Sequence, residues 1–411
     1  MLRGLVEEEV RLLQSGAVRA VGLGPAAARV ALCIAAARLA AAGEAPRALA
    51  LLDERPFPHS FSRAITLACG GRVSTPSHLR RRQGWAVVPA SAPRSEAVAN
   101  GQRRNNVYGD EAPCGGVASS SKAATLLPYV LQTARGGDPH SVGAAFEDCA
   151  RRLLGPARQW LKIAGGRKAE VVVTALRNAP KMGSLLEVGT YLGYSAIRIA
   201  ASQPGRRVVS VEVDPGSAMA AECLTTYAGL AHRVDIWTGH SKDVLRRLPA
   251  RYHPSDLLFA GVFMDQCGSS FWADLEELLQ LGLVLPGAVI VADNVLKPGA
   301  PLFLWNAFRS DSFVARVVSV PEFAMPGVED WVAVLRYTPP DGPSLQQRRP
   351  VGRDGSGAVP PLVLDLEWEA HRMRTRAVGQ GGVSFFEWKA FSAWMRERLA
   401  ELGIRPHDGA V

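Results

Sequence analysis

The chain has 411 residues, a length that indicates two or three folded units rather than one. Hydrophobic residues make up 47% of it and charged residues 21%, which is close to ordinary globular usage and excludes a wholly disordered chain. The net charge is +9, and the stretch from Leu67 to Thr125, with eight basic and three acidic residues, accounts for +5 of it. That distribution is typical of a solvated linker, so we expect no nucleic-acid binding.

Cysteine spacing and hydropathy indicate the cellular compartment of the protein. The six cysteines are widely separated and form no CxxC pair, so neither a disulfide scaffold nor structural zinc is expected. The most apolar window, Ala26 to Ala42, contains Arg29 and Arg38, which favours a soluble helix over a membrane span. Acidic residues follow Met1 before any apolar run, unlike a secretory signal. We expect a cytoplasmic protein, monomeric by default.

The N-terminal part divides into two regions. Residues 1–66 have helical periodicity, and residues 30–54 resemble one unit of a pentatricopeptide-type helical hairpin. A single unit cannot bury its own apolar face, so a small helical segment is favoured over an RNA-reading array. Residues 67–125 are rich in Gly, Ser, Pro and Arg, and we predict a disordered basic linker.

Residues 126–338 alternate helical patterns with short apolar runs. The runs expected to form strands are Leu185–Val188, Val208–Val213, Val234–Ile236, Leu257–Met264 and Val289–Val291. Apolar strands separated by helices predict a mostly parallel sheet covered on both faces. We therefore expect a doubly wound, Rossmann-like α/β domain.

A second break, rich in Pro, Gly and Arg, covers residues 339–360 and is followed by an aromatic-rich helical extension, residues 361–411. Its six large aromatic side chains are Trp368, Phe385, Phe386, Trp388, Phe391 and Trp394. Burial against the α/β domain is the simplest expectation for them. An acidic–aromatic tail that binds a partner is the alternative.

A glycine turn follows the first predicted strand, in Glu187–Ser195. Glycine lets the backbone approach a ligand closely, and the helix that follows favours negative charge at its start. Glu212 ends the next strand, at the position from which a carboxylate binds ribose hydroxyls in doubly wound nucleotide sites. A purely structural turn is the alternative, but together with Glu212 the pattern favours an adenosyl ligand.

Polar residues also end two later strands. Asp265 follows Val262–Met264, and Asp293 and Asn294 follow Val289–Ala292. Carboxylate and amide oxygens at neighbouring strand ends are the hard ligands that Mg²⁺ prefers. The sequence therefore predicts a magnesium site, with loop capping as the alternative.

At these positions the chain resembles the catechol O-methyltransferase family, over residues 126–338. The resemblance is carried, in the family's order and spacing, by Gly137–Val142, Trp160, Glu187–Ser195, Val211–Pro215, Ala228–Leu230, Asp265 and Ala292–Gly299. It implies a class I, S-adenosylmethionine- and Mg²⁺-dependent methyltransferase that acts on a hydroxyl of a catechol-like or other phenolic small molecule. The flanking regions are not covered by the resemblance.

The resemblance also implies roles for individual residues. The metal ligands are Asp265, Asp293 and Asn294, and the substrate side is lined by Trp160 and Pro298. The cofactor residues divide into those near the methionine moiety (Ala164, Glu187, Gly189, Tyr191 and Ser195), the ribose (Glu212) and the adenine (Ser241, Gln266), with Asp265 also on the cofactor side. A metal-bound phenolic oxygen attacks the sulfonium methyl in line, and the protein supplies mainly alignment and charge.

Two positions depart from the family pattern. Gly268 stands where the family has its catalytic lysine, and Ala333 aligns with the glutamate that binds the second catechol hydroxyl, with Glu329 as a displaced equivalent. Lys297 is the best substitute base, ahead of His240 and Lys242. Cys267, where the family has a tryptophan, is expected to be a small buried filler.

Three functions follow from these observations. The first is an active O-methyltransferase with altered substrate preference. The second is a weakened or inactive S-adenosylmethionine-binding module with an interaction role, because general-base catalysis typically contributes roughly 10²–10⁴ of rate. A caffeoyl-CoA-type enzyme is the third and is less favoured, because residues 126–338 contain no compact basic cluster for the CoA phosphates.

Overall fold

The computed structural model describes residues 118–155, 160–252, 257–339, 359–378 and 382–407. The predictions for residues 1–66, and for nearly all of the two linkers, lie outside these residues. The helices, numbered along the chain, are α1 Ala118–Thr133, α2 Pro139–Cys149, α3 Arg167–Arg177, α4 Tyr194–Ser202, α5 Pro215–Tyr227, α6 Ser241–Leu245, α7 Phe271–Gln280, α8 Pro301–Arg309, α9 Pro361–Val378 and α10 Phe385–Glu401. The first of them begins upstream of residue 126, where we expected the domain to start.

Seven strands form one sheet at the centre of the domain. They are β1 Ser184–Val188, β2 Val208–Glu212, β3 Val234–Thr238, β4 Phe259–Met264, β5 Val284–Ala292, β6 Phe313–Pro321 and β7 Glu329–Tyr337. Their order is β3-β2-β1-β4-β5-β7-β6. Strands β1 to β5 pair in parallel, whereas β7 runs antiparallel to both β5 and β6. The predicted doubly wound, mostly parallel sheet is confirmed.

Burial on both faces explains why the central strands are almost continuously apolar. Every residue of β1, β2 and β4 is buried, because helices cover the sheet on each side. Helix α3 shows how the cover is made: Val171, Val172, Ala175 and Leu176 lie on one buried stripe. Lys168 is buried on the same stripe, which is unusual for a lysine.

Strand direction determines which residues meet. The order of strands reverses between β1 and β4, so the crevice at their carboxyl ends is where ligands bind in such sheets. The ends of β1, β2, β4 and β5 all face this edge. Because β7 is antiparallel to its neighbours, its first residues lie at the same edge as the end of β6. The segment between β6 and β7 therefore also reaches the crevice.

The C-terminal extension is a pair of helices, α9 and α10, packed against the domain. Helix α10 begins with a capping box formed by Ser384 and Glu387. Trp388 and Phe391 are buried and Phe385 is half-buried, whereas Trp368, Phe386 and Trp394 are exposed. The expected burial of the six aromatic side chains is thus only partly correct. Beyond α10, Pro406 forms a parallel bridge with Val317 of β6.

Candidate active site

The glycine turn brings backbone from two strands into close contact. Gly189 has φ +100°, and a Cβ there would lie 2.6 Å from the carbonyl group of Asp265. Only glycine permits this approach between the ends of β1 and β4. The turn continues into α4, whose first residues are buried. The predicted ligand-approach site is therefore a tightly packed cradle.

Glu187 lies on β1 directly beneath this turn and is fully buried. The hydroxyls of Ser195 and Ser210 hydrogen-bond to its carboxylate. Burial is the main reason that the pKa of Glu187 rises to about 7, and the two serines only partly offset it. Its Oε1 is buried and has no hydrogen-bond partner among the described residues. An acceptor of this kind suits the ammonium group of a ligand.

Glu212 ends β2 beside the turn. Its carboxylate accepts hydrogen bonds from the backbone N–H of Tyr191, at 2.7 Å, and of Asp214, at 2.8 Å. Burial raises the pKa of Glu212 to about 7 although these bonds favour the ionised form. The two glutamates thus sit side by side at the carboxyl edge, as the sequence predicted.

The remaining predicted cofactor residues surround the same edge. Gln266 follows Asp265, and its side-chain Nε2 donates to Asp274 at 2.9 Å. Its Oε1 is buried and lacks a partner within the described part of the chain. Ser241 begins α6 after β3, and Ala164 is buried in the segment before α3. The residues present fit an adenosyl ligand with a charged amino-acid tail.

Asp265, Asp293 and Asn294 lie at the ends of β4 and β5, as predicted. The described residues contain no group of three His, Cys, Asp or Glu side chains placed to hold a metal ion. The predicted set instead consists of two carboxylates and one amide. The Asn294 Nδ2 donates to Asp330 at 2.8 Å, which fixes the orientation of the amide.

Three residues that the sequence did not single out complete this cluster. The ammonium group of Lys168 lies 3.1 Å from Asp293, 2.7 Å from Asp330 and 3.1 Å from Glu322. The sequence feature that could have identified Lys168 is its position on the apolar stripe of α3, where a lysine is unusual. Glu322 directly follows β6, and Asp330 is the second residue of β7. Predicting β6 and β7 as an antiparallel pair would have placed both residues at the carboxyl edge of the sheet.

Burial and mutual charge dominate the electrostatics of this cluster. Burial, together with the charge of Asp293, raises the pKa of Asp265 well above its usual range. Burial alone would lower the pKa of Lys168, but the three surrounding carboxylates raise it well above the ordinary value. Burial would likewise raise the pKa of Glu322, yet Lys168 and Lys297 lower it to about 2. Glu322 is therefore an ionised partner of both lysines.

Lys297, the predicted substitute base, lies at this cluster. Its Nζ is 2.6 Å from Glu322 and 4.9 Å from the centre of the Trp388 ring. Pro298 follows it and is half-buried, whereas the rival candidates His240 and Lys242 are exposed. Within the described chain, Lys297 is thus the candidate that the fold brings to the acidic residues.

The structure shows where the two positions considered for the family's missing glutamate lie. Ala333 is buried in β7 opposite Ala292. Glu329 accepts hydrogen bonds from Ser319, Trp331 and Arg396, and within the described residues it makes no hydrogen bond to the Lys168 cluster. The carboxylate that reaches the site is Glu322, because the segment after β6 returns to the carboxyl edge.

Cys267 and Gly268 begin the turn after Asp265. Cys267 is half-buried, and its Sγ lies 3.1 Å from the hydroxyl of Ser269. A Cβ on Gly268 would lie 2.9 Å from the guanidinium of Arg374, a residue of α9. The position of the family's lysine is thus adjacent to the C-terminal extension.

Comparison with known proteins agrees with this site. The O-methyltransferase family profile matches residues 171–310, which include the glycine turn, Glu212 and the Asp265 and Asp293 strand ends. Catechol O-methyltransferase of Bos taurus is 36% identical over 45% of this chain and 65% of its own length, and that of Mus musculus is 33% identical over 47% of this chain and 70% of its own length. The chain belongs to the catechol O-methyltransferase family.

That family consists of S-adenosylmethionine-dependent O-methyltransferases. A further relative, the transmembrane O-methyltransferase of Homo sapiens, is 34% identical over 52% of this chain and 71% of its own length. In the described part of this chain, no helix combines the length and the apolar character needed to cross a bilayer. Among solved structures, an O-methyltransferase from Bacillus cereus in complex with SAH is 21% identical, covers 45% of this chain and 87% of its own, and gives a TM-score of 0.39.

Proposed function

We propose that the protein transfers the methyl group of S-adenosylmethionine to a hydroxyl of a catechol-like or other phenolic small molecule. The observation that carries the proposal is the meeting, at one sheet edge, of an adenosyl-type cradle and an acidic oxygen cluster. The cradle is formed by Gly189, Glu187 and Glu212. The cluster begins at Asp265, whose backbone is in contact with Gly189.

The charge balance of the cluster supports a divalent cation. Four carboxylates, at Asp265, Asp293, Glu322 and Asp330, are accompanied by only two ammonium groups, at Lys168 and Lys297. If all four carboxylates are ionised, the cluster has two excess negative charges, which a bound Mg²⁺ would neutralise; without a cation, burial and the charge of Asp293 raise the pKa of Asp265 and favour its neutral form. Hard oxygens are the ligands that Mg²⁺ prefers. Asp265, Asp293 and Asn294 would hold it. When bound, the cation acidifies a phenolic hydroxyl and favours acceptors with two adjacent oxygens.

The protein's own residues then do three things. Glu187 accepts hydrogen bonds from the ammonium of the methionine moiety, and Glu212 accepts them from the ribose. Asp330 holds the cluster together, since it accepts bonds from Lys168, Asn294 and the Lys297 backbone. Alignment of the acceptor oxygen with the sulfonium methyl is the main catalytic contribution.

The reaction is a direct displacement. The bond from the acceptor oxygen to the methyl carbon forms as the carbon–sulfur bond breaks, and S-adenosylhomocysteine leaves. The phenolic proton passes to a base, for which Lys297 is our candidate in its neutral amine form, after its ammonium has released a proton to solvent, while Trp160 and Pro298 line the acceptor side. The cytoplasmic location and monomeric state stay predictions.

A second function is favoured by two specific observations. The Lys168 ammonium lies 3.1 Å from Asp293, and Gly268 replaces the family's lysine. Both features suit a binding module that holds S-adenosylmethionine without turning it over. Such a module would use its C-terminal extension for interactions.

Transfer of labelled methyl to catechols and monophenols, with Mg²⁺ or with EDTA, separates the two functions. We expect transfer that requires Mg²⁺ and that falls at least about 10²-fold in Asp265→Asn, because one of two anionic ligands is lost. The exposed Asp243→Asn is the matched control and should keep wild-type rates. Cofactor binding without transfer to any phenol would instead favour the binding module.

A further inference from the structure

The helices α9 and α10 contact two loops at the carboxyl edge of the sheet, the segment at Trp160 and the turn after β5. The Phe385 ring lies against Trp160, with centroids 4.2 Å apart. The Trp388 ring lies 4.9 Å from the Lys297 ammonium, and Arg374 donates to the Gly299 carbonyl. Each of these loops carries a residue that we place on the acceptor side. The extension therefore packs where an acceptor would enter.

Arg374 contacts the turns after both β4 and β5. Its Nη2 would lie 2.9 Å from a Cβ on Gly268, in the turn after β4, and it donates to Gly299, in the turn after β5. The guanidinium thus fills the space in which a side chain at residue 268 would begin. Its Nη1 is buried and has no hydrogen-bond partner among the described residues.

Trp388 controls the position of Lys297. The indole is 7% exposed, and the Lys297 ammonium is held between this ring and the Glu322 carboxylate at 2.6 Å. A cation over an indole face is attracted by the ring, most strongly where water is excluded. The side chain we take as the base is therefore oriented by a residue of α10.

We propose that α9 and α10 form a wall of the acceptor site. Phe385 and Trp160 make its aromatic face, Trp388 is a positioning residue for Lys297, and Arg374 occupies the space left by Gly268. The face suits a planar aromatic ring. This inference rests on the proposed function, because it assigns the acceptor to the same edge.

Two adjacent phenylalanines provide the sharpest test. Phe385 contacts Trp160, whereas Phe386 is 81% exposed. Binding of 4-nitrocatechol would be measured by calorimetry in the presence of Mg²⁺ and S-adenosylhomocysteine. Phe385→Ala should lower the affinity for 4-nitrocatechol about tenfold, the size expected for loss of an aromatic contact. The affinity for S-adenosylhomocysteine should stay within about twofold of the wild-type value. Phe386→Ala should leave both affinities unchanged.

The positioning role of Trp388 has its own readout. Trp388→Leu should lower kcat and shift its pH profile while the KM for S-adenosylmethionine stays constant. Trp388→Phe should restore the profile, because a phenyl face still attracts the ammonium. Trp368→Leu, at an exposed tryptophan of α9, is the control.

The outcomes separate the two ideas. If the wild-type protein binds the probe but transfers no methyl group, the proposed function is wrong. The comparison of Phe385→Ala with Phe386→Ala then still tests whether α9 and α10 line the acceptor site. The wall proposal is wrong if Phe385→Ala and Phe386→Ala change the affinity for 4-nitrocatechol equally. It is also wrong if Phe385→Ala lowers the affinity for S-adenosylhomocysteine as much as the affinity for the probe. A wild-type protein that binds neither 4-nitrocatechol nor any monophenol tested would also overturn it.

Discussion

Lys168 shows how one residue can organise an acidic site. Its ammonium contacts three carboxylates while its stem lies on the apolar stripe of α3. A buried charge is tolerated only where partners compensate for lost hydration, and here the partners come from the strand ends. The lysine therefore couples the position of α3 to the position of Asp293.

Replacing Lys168 should destabilise the fold strongly. Lys168→Met would leave Asp293, Asp330 and Glu322 buried without their shared cation, and breaking such a cluster costs about 3–5 kcal/mol. The free energy of unfolding in urea measures this. Lys181→Met, at an exposed lysine, should stay within about 0.5 kcal/mol of wild type. Equal midpoints for the two variants would show that Lys168 has no stabilising role.

The affinity for S-adenosylmethionine should depend on pH through Glu187 and Glu212. Both have pKa values raised to about 7 in the ligand-free protein, mainly by burial. A ligand ammonium and ribose hydroxyls favour the ionised carboxylates, so binding lowers these pKa values and releases protons below pH 7. Affinity should therefore fall from pH 8 to pH 6, by up to about tenfold for each group.

Calorimetry without Mg²⁺ or acceptor measures this pH dependence directly. Glu187→Gln should bind more weakly at pH 8 and show a shallower dependence, because one titrating group is gone. A wild-type affinity that is flat between pH 6 and pH 8 would rule out this linkage.

At the scale of elements, the sequence predicted the parallel strands but not the antiparallel end of the sheet. The runs around Val188, Glu212 and Met264 are apolar because both sheet faces are covered, so they were recognisable. Strand β6 has exposed and half-buried positions and gave no such run. Glu322, which follows β6, was therefore missed, and Asp330 was missed because the apolar run Trp331–Leu335 was not assigned as a strand, although Asp265 and Asp293 were found. The role of Arg374 depends on packing between distant segments and could not be predicted locally.

The turn between β1 and α4 should tolerate no side chain at its first glycine. Gly189→Ala would place a Cβ 2.6 Å from Asp265 backbone, at φ +100°. Displacing backbone as well as straining φ should cost more than about 2 kcal/mol and abolish S-adenosylmethionine binding. Gly205→Ala is the control, since its φ is +86° but nothing lies within 4 Å. It should cost only the strain, about 1 kcal/mol, and keep binding.

At the scale of the whole molecule, the extension and the α/β domain form one packed unit. Leu366, Ala370 and Met395 of α9 and α10 belong to the same core cluster as β4 and β5 residues. The Leu302 backbone N–H also donates to Glu367 at 3.2 Å. Substitutions in the extension should therefore change how much a substitution in the turn after Asp265 alters the free energy of unfolding.

A double-mutant cycle between Gly268 and Arg374 tests that coupling. Gly268→Ala alone should cost about 1–3 kcal/mol of unfolding free energy, because its Cβ would lie 2.9 Å from Arg374 and 3.0 Å from the Gly299 oxygen. In the Arg374→Ala background the same change should cost about 1 kcal/mol less, since the guanidinium is gone while the Gly299 oxygen stays. Gly282→Ala, where nothing lies within 4 Å, should be additive with Arg374→Ala. Additivity at Gly268 as well would mean that Arg374 does not occupy this space. It would also mean that a lysine at residue 268 could be introduced without altering the extension.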